Sequence, residues 1–219
     1  MRKIGAVTIG QSPRSDVTKD ILPLLNNFDL VECGALDDYT YEEVINEFQP
    51  KDENLFVSRM RDGKQVFLSK KKIISQLNSC IERLEQIGCE VIMVFCTGKI
   101  DGLKSKVKLL QPNVIMHKII PSIAINTKMA IIIPDKKQKQ QIRKQWEYVD
   151  LDITIFSASP YEDIEKIQIL SKKIEKQNFG LVYLDCIGYS KQMQEIVSEL
   201  TCVPVLLPRT ILAEVANLI

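Results

Sequence analysis

Helical spacing alternates with short apolar runs along almost the whole chain, the pattern of helices alternating with buried strands in parallel sheets. In the first half, apolar runs predict strands at Ile4–Ile9, Leu30–Cys33 and Val91–Phe95. Helical spacing predicts helices from about Ser15 to Asn26, near Tyr41–Glu47 and over Ser69–Ile87, with Gly88 placed as the stop of the last. Between them, Leu55–Ser58 and Gln65–Leu68 flank Arg61-Asp62-Gly63-Lys64. This insertion reads as a β-hairpin, because Asp-Gly tolerates the positive φ of a tight turn. The second half repeats the plan without the hairpin. Its strands are predicted at Met129–Ile133, Ile153–Phe156, Leu181–Asp185 and Val203–Leu207, and its helices at about Lys136–Tyr148, Pro160–Gln177 and Thr210–Leu218. Ser159-Pro160-Tyr161-Glu162 has the form of a helix start: Ser as N-cap, Pro at the first position and Glu closing a capping box.

Two of these helix–strand segments, Ile74–Gly98 and Ile164–Gly188, align without a gap. Ile74, Leu77 and Leu84 fall on Ile164, Ile167 and Ile174, and each segment ends in Cys-x-Gly after its strand, Cys96-Thr97-Gly98 and Cys186-Ile187-Gly188. Loops at the carboxyl ends of parallel strands are where open α/β sheets bind ligands. The alignment therefore sets a paired functional role for the two thiols against two unrelated small core residues, and both stay open at this point.

Composition narrows the rest. With 219 residues, 45% hydrophobic and 26% charged, the chain suffices for one large domain or two small lobes. A net charge of +1 supplies no global field toward nucleic acid or an anionic membrane. No stretch approaches a membrane span and the amino-terminal apolar run is too short for a signal peptide, so a cytoplasmic location is expected. The six scattered cysteines then read as reduced thiols rather than a disulfide framework. One histidine, His117, excludes multi-histidine metal sites, and no Cys-x-x-Cys, dinucleotide fingerprint or phosphate-binding loop occurs. The expected chemistry uses neither metal nor cofactor.

Two cysteines facing one carbon acid can remove a proton from one face and return one to the other, since a thiol's reference pKa of about 8.5 lies near working pH. At a strand-to-helix turn the helix N-terminus favours the thiolate, and its free N–H groups can hold a carboxylate. Gly98 and Gly188 let backbone amides approach a ligand, and Thr97 adds a hydroxyl beside Cys96. Beside Cys186, Tyr189 or Ser190 has to serve. Ser12 is read either as the cap of the following helix or as a ligand contact, and Arg14 as a carboxylate partner or a solvated side chain. Ser159 and Tyr161 join the candidate ligand contacts, and Arg59 and Arg61 are candidates for a lid. The contrast between Thr97 and Ile187 assigns Cys96 as base and Cys186 as acid.

The stretches Thr8–Arg14, Glu32–Asp37, Ser58–Gly63, Cys96–Gly98, Ser157–Tyr161, Asp185–Tyr189 and Pro204–Arg209 together resemble the AroM family over nearly the whole chain. More distantly the layout is similar to the aspartate/glutamate racemase superfamily, which has two similar α/β lobes, no cofactor and one cysteine per lobe at the cleft. That resemblance implies an α/β fold of two pseudo-symmetric lobes, each a mainly parallel sheet flanked by helices. Residues 1–118 with 208–219 form the first lobe, carrying the hairpin insertion at about 55–68, and residues 119–207 form the second. It further implies a cofactor-independent isomerase or lyase acting on a small carboxylate in an interlobe cleft, with Cys96 and Cys186 catalytic. The superfamily's second cysteine is usually followed by Thr, whereas here Ile187 follows it. A non-catalytic small-molecule-binding or regulatory protein on the same scaffold is the alternative. The expected partner is a small anionic ligand, with no nucleic acid and no membrane; a homo-oligomer is compatible with the sequence, which does not fix the oligomeric state.

Overall fold

The computed structural model describes residues 1–51 and 55–219. The chain divides into two compact units, Met1–Ile115 with Arg209–Ile219, and Met116–Pro208.

In the first unit, β1 (Arg2–Thr8), β2 (Phe28–Gly34), β5 (Val91–Phe95) and β6 (Lys108–Leu110) form a parallel sheet in the order β2-β1-β5-β6. Its helices are α1 (Ser15–Ile21), α2 (Tyr41–Glu47) and α3 (Lys70–Gln86), joined by α8 (Pro208–Asn217) from the end of the chain. Pro23, which has no N–H to donate, sits in a 3-10 turn at Leu22–Leu24, so α1 ends five residues before the expected Asn26. Thr40 and Glu43 close a reciprocal capping box at the start of α2. On α3, Ile73, Leu77, Cys80, Ile81 and Leu84 form one buried stripe. Burial of each such aliphatic side chain stabilises by about 1.5–3 kcal/mol. The hairpin forms as expected from β3 (Leu55–Arg59) and β4 (Gln65–Ser69), with Gly63 at φ +95° in the turn.

In the second unit, β7 (Met129–Ile133), β8 (Ile153–Ser157), β9 (Leu181–Leu184) and β10 (Val205–Leu206) are ordered β10-β9-β7-β8, again all parallel. Numbered within its own unit, each sheet runs second, first, third, fourth. Ile4 pairs with Val91, and Met129 with Leu181, so the gapless alignment of the sequence carries β1 onto β7 and β5 onto β9. The repeat is therefore a repeat of topology, and both lobes are α/β as expected. Helices α4 (Pro112–Ile123), α5 (Lys139–Trp146), α6 (Ile164–Glu175) and α7 (Lys191–Thr201) complete the element order.

Three local expectations are corrected. Neither β6 nor α4 was anticipated, because β6 has only three residues at a sheet edge and α4 carries a proline, Pro121, within an apolar run. Helix α6 begins at Ile164 after Asp163, not at Pro160. The Ser159 hydroxyl instead accepts the Tyr161 N–H at 3.1 Å, making a turn that brings Pro160 and Tyr161 over Gly188.

His117 lies on α4, its ring stacked on Trp146 at 4.0 Å and its Nδ1 2.7 Å from the Tyr148 hydroxyl. Burial lowers its pKa from 6.5 to about 4. The unfolded chain therefore binds this proton first, so the contribution of neutral His117 is intact above pH 6.5 and is lost as pH falls toward 4. Allowing for partial exposure, we expect about 1–2 kcal/mol less loss on acidification in His117→Phe than in wild type. Urea unfolding at neutral and acidic pH checks this, and equal slopes for both proteins would contradict it.

Candidate active site

In each sheet the chain leaves the first strand toward one side and the third strand toward the other. The loops after β1 and β5, and those after β7 and β9, thus border the crevice where such sheets take ligands. Cys96 directly follows β5. Cys186 follows Asp185, whose N–H extends the ladder to the Ile132 carbonyl at 2.8 Å. The two cysteines are 8% and 6% exposed, and no cysteine takes part in a disulfide.

In the first unit, Thr97 is buried beside Cys96, and Gly98 lies against the hairpin. A Cβ at Gly98 would stand 2.6 Å from the Phe56 ring and 3.5 Å from Cys96 Sγ, so only glycine lets the chain pass there. The strand-to-helix turn expected after Cys96 is not found: the next element is β6, twelve residues on. The loop after β1 is held from several sides. Asp37 accepts the Ser12 N–H and hydroxyl, both at 2.6 Å, and the Gly34 N–H at 2.8 Å. Ser12 is thus no helix cap. Gln11 donates to the carbonyls of Leu36 and Tyr39 and accepts the Arg61 N–H, while Arg61 Nε donates to the Ser12 carbonyl at 2.6 Å. The lid expected of Arg59 and Arg61 is in this structure a brace. An open cavity of about 380 Å3 beside this loop is lined by Gln11, Tyr39, Thr40, Tyr41, Met60, Arg61 and Asp62.

Arg14 is 2% exposed and grips Asp16 through Nε at 2.9 Å and Nη2 at 2.8 Å, so its fork is engaged within the chain rather than solvated. Burial pushes the Asp16 carboxyl up, but the Arg14 hydrogen bond and the charges of Arg14, Arg59 and Arg209 outweigh it and hold the group below its ordinary value. Glu32 accepts the Arg14 N–H at 2.7 Å, yet burial raises its pKa, helped by the charges of Asp16 and Asp37.

In the second unit the expected turn is present. Ser190 caps α7 by accepting the Met193 N–H at 3.2 Å, and the Gly188 N–H donates to Cys186 Sγ at 3.3 Å. A Cβ at Gly188 would meet the Tyr161 hydroxyl at 2.6 Å. Tyr189 is fully buried, its hydroxyl donating to the Ala158 carbonyl at 2.6 Å; burial raises its pKa well above 10. Tyr189 therefore donates its hydroxyl proton to the fold, whereas the Ser190 hydroxyl accepts an N–H there and keeps its own proton to donate. Asp185 is 6% exposed and accepts the Tyr183 hydroxyl at 3.1 Å. Among the described residues, no group of three or more His, Cys, Asp or Glu is placed to hold a metal ion, and no helix is long and apolar enough to cross a membrane.

The family model of the AroM protein matches residues 4–219. The chain belongs to the AroM family. A search of curated proteins by sequence gives no match. Solved structures show what fold this AroM protein shares. Allantoin racemase from Klebsiella pneumoniae superposes with a TM-score of 0.63 at 9% identity, over 99% of this chain and 86% of that one. Glutamate racemase from Aquifex pyrophilus gives 0.61 at 18% identity, over 99% and 84%. Unliganded arylmalonate decarboxylase gives 0.62 at 12% identity, over 99% and 92%. The fold of this AroM protein is thus that of racemases and of a decarboxylase.

Proposed function

We propose that this AroM protein is an isomerase or lyase that acts, without a cofactor, on the acidic carbon of a small carboxylate, with Cys96 and Cys186 as its proton-transfer groups. The observation that carries the reading is the equivalent placement of the two thiols, each at the carboxyl end of the third strand of its sheet, beside the first strand. The fold's neighbours, two racemases and a decarboxylase, support the same class of chemistry. In this reading one thiolate takes the proton from one face of the carbon and the other thiol delivers one to the opposite face. The Gly188 N–H donated to Cys186 Sγ favours the charged form of that sulfur and supports Cys186 as the thiolate in this reading, the reverse of the assignment drawn from Thr97 and Ile187.

Ile187, 3% exposed, offers no hydroxyl beside Cys186, and this favours a second reading as a small-molecule-binding protein without catalysis. Incubating the protein in deuterium oxide with a panel of amino, hydroxy and unsaturated acids decides between them. Deuterium at the carbon beside the carboxylate supports the catalytic reading; ligand binding with no exchange supports the second.

A further inference from the structure

The first turn of α5 and the residue before it hold polar atoms at odds with their position. Gln138, Gln141, Ile142 and Trp146 fall at spacings of three, four and eight residues along this segment and so share one face, and Ile142 and Trp146 are its buried apolar members. Trp146 packs toward Tyr183 of β9, with ring centroids 6.1 Å apart, so this face is turned to the sheet. Gln138 is 8% exposed and its Oε1 is buried without a hydrogen-bond partner; both amide atoms of Gln141 are likewise buried and unpartnered. An unmade hydrogen bond on a buried polar group costs about 1–3 kcal/mol, and an apolar side chain at either position avoids that cost.

Their place in the topology gives them a use. They follow β7 at its carboxyl end, on one border of the second unit's switch-point crevice, and Asp185-Cys186 after β9 forms the other border. The strand equivalence that carries Ile4 onto Met129 carries Asp16 onto Gln141, and Val17 and Ile21 onto Ile142 and Trp146. In the first unit that position holds a carboxylate bound by Arg14 and facing Arg59. In the second it holds an amide with nothing bound to it.

We infer that Gln138 and Gln141 bind the ligand, and that the ligand is a small carboxylate whose other end is a primary amide or ureido group. The inference rests on the carboxylate reading above and names the substrate class. Two buried carbonyl oxygens ask for N–H donors, and the buried Gln141 amide nitrogen and the equally unpartnered Trp146 Nε1 ask for acceptors. A primary amide or ureido group offers both, whereas a dicarboxylate offers acceptors alone.

Thermal-shift titration with succinamate and N-carbamoylglycine, against the matched dicarboxylate succinate, tests this on wild type, Gln138→Leu, Gln141→Leu and the near-isosteric Gln141→Met. The expected result is a larger shift from the amide and ureido acids than from succinate. Each variant should weaken that binding about tenfold or more, while its unliganded melting temperature stays equal to wild type or rises. Equal shifts from amide and dicarboxylate, no shift from any amide acid, or undiminished binding in Gln138→Leu and Gln141→Met would overturn it. Binding of succinamate without deuterium exchange at its carbon would sink the catalytic reading alone; exchange confined to dicarboxylates would sink this inference alone.

Discussion

Replacing Arg209 by Met is expected to lower the unfolding free energy by about 3–5 kcal/mol, the cost of stripping a buried charge of its partner. Arg209 is fully buried at the start of α8, and its Nη1 donates to the Asp16 carbonyl at 2.7 Å and to Asp20 Oδ2 at 2.8 Å. Asp20 is only 13% exposed, so the variant leaves its carboxylate with little water to replace the guanidinium. The same residue ties the last helix to α1 within the first unit, where Asn217 adds bonds to the Leu24 carbonyl and the Asn26 N–H. Asp20→Asn in the Arg209→Met background should recover part of the loss, because the stranded charge is gone. Urea unfolding of the three proteins measures this. A loss below about 1 kcal/mol would class the pair with ordinary surface ion pairs and refute the buried-charge account.

The second large effect concerns the thiols. Cys96→Ala and Cys186→Ala should each reduce deuterium exchange into the reactive acid by about 10²–10⁴-fold, the usual contribution of one positioned acid or base. Both side chains are small and more than nine-tenths buried, so alanine leaves a cavity of one sulfur and the fold persists. The two variants should also differ in kind. With Cys186 as the thiolate, Cys186→Ala removes the base for one enantiomer and retains a slow single-face exchange with the other, and Cys96→Ala shows the opposite preference. Loss of exchange by less than about tenfold in both variants would exclude them as the proton-transfer groups.

Much of the fold was legible because its largest signals are periodic. The buried stripe of α3, the all-buried strands β5 and β7, and the Asp62-Gly63 hairpin each follow from local patterns that tertiary structure reinforces. Apart from β6, α4 and the end of α1, the misses share one physical cause, competition from partners elsewhere in the fold. Ser12 has the chemistry of a cap, but Asp37 offers its hydroxyl and its N–H a charged acceptor, and α1 starts without a side-chain cap. Ser159-Pro160-Tyr161 has the form of a helix start, but the bare Cα of Gly188 draws Tyr161 into a turn and Asp163 takes the N-cap position. Arg14 and Tyr189 have the chemistry to meet a ligand, and both are bound within the chain.

At the site, the strand-end positions of Cys96 and Cys186 were legible in the gapless repeat, and their environments were not. A helix, α7, starts shortly after Cys186 along the chain, whereas the chain after Cys96 runs to β6 without one. The glutamines of α5 carried a signal that went unread. Gln138 and Gln141 stand where the helical stripe ending in Ile142 and Trp146 calls for apolar residues, and polar side chains on such a stripe need a partner.

Isotope-coded iodoacetamide labelling, read for both thiols in the same sample while the exchanging acid is titrated, tests the central claim most directly. If Cys96 and Cys186 serve one substrate, the acid protects both from alkylation over one concentration range, and that range matches the one that saturates deuterium exchange. Protection of a single thiol, or of the two at concentrations more than about tenfold apart, would contradict the account.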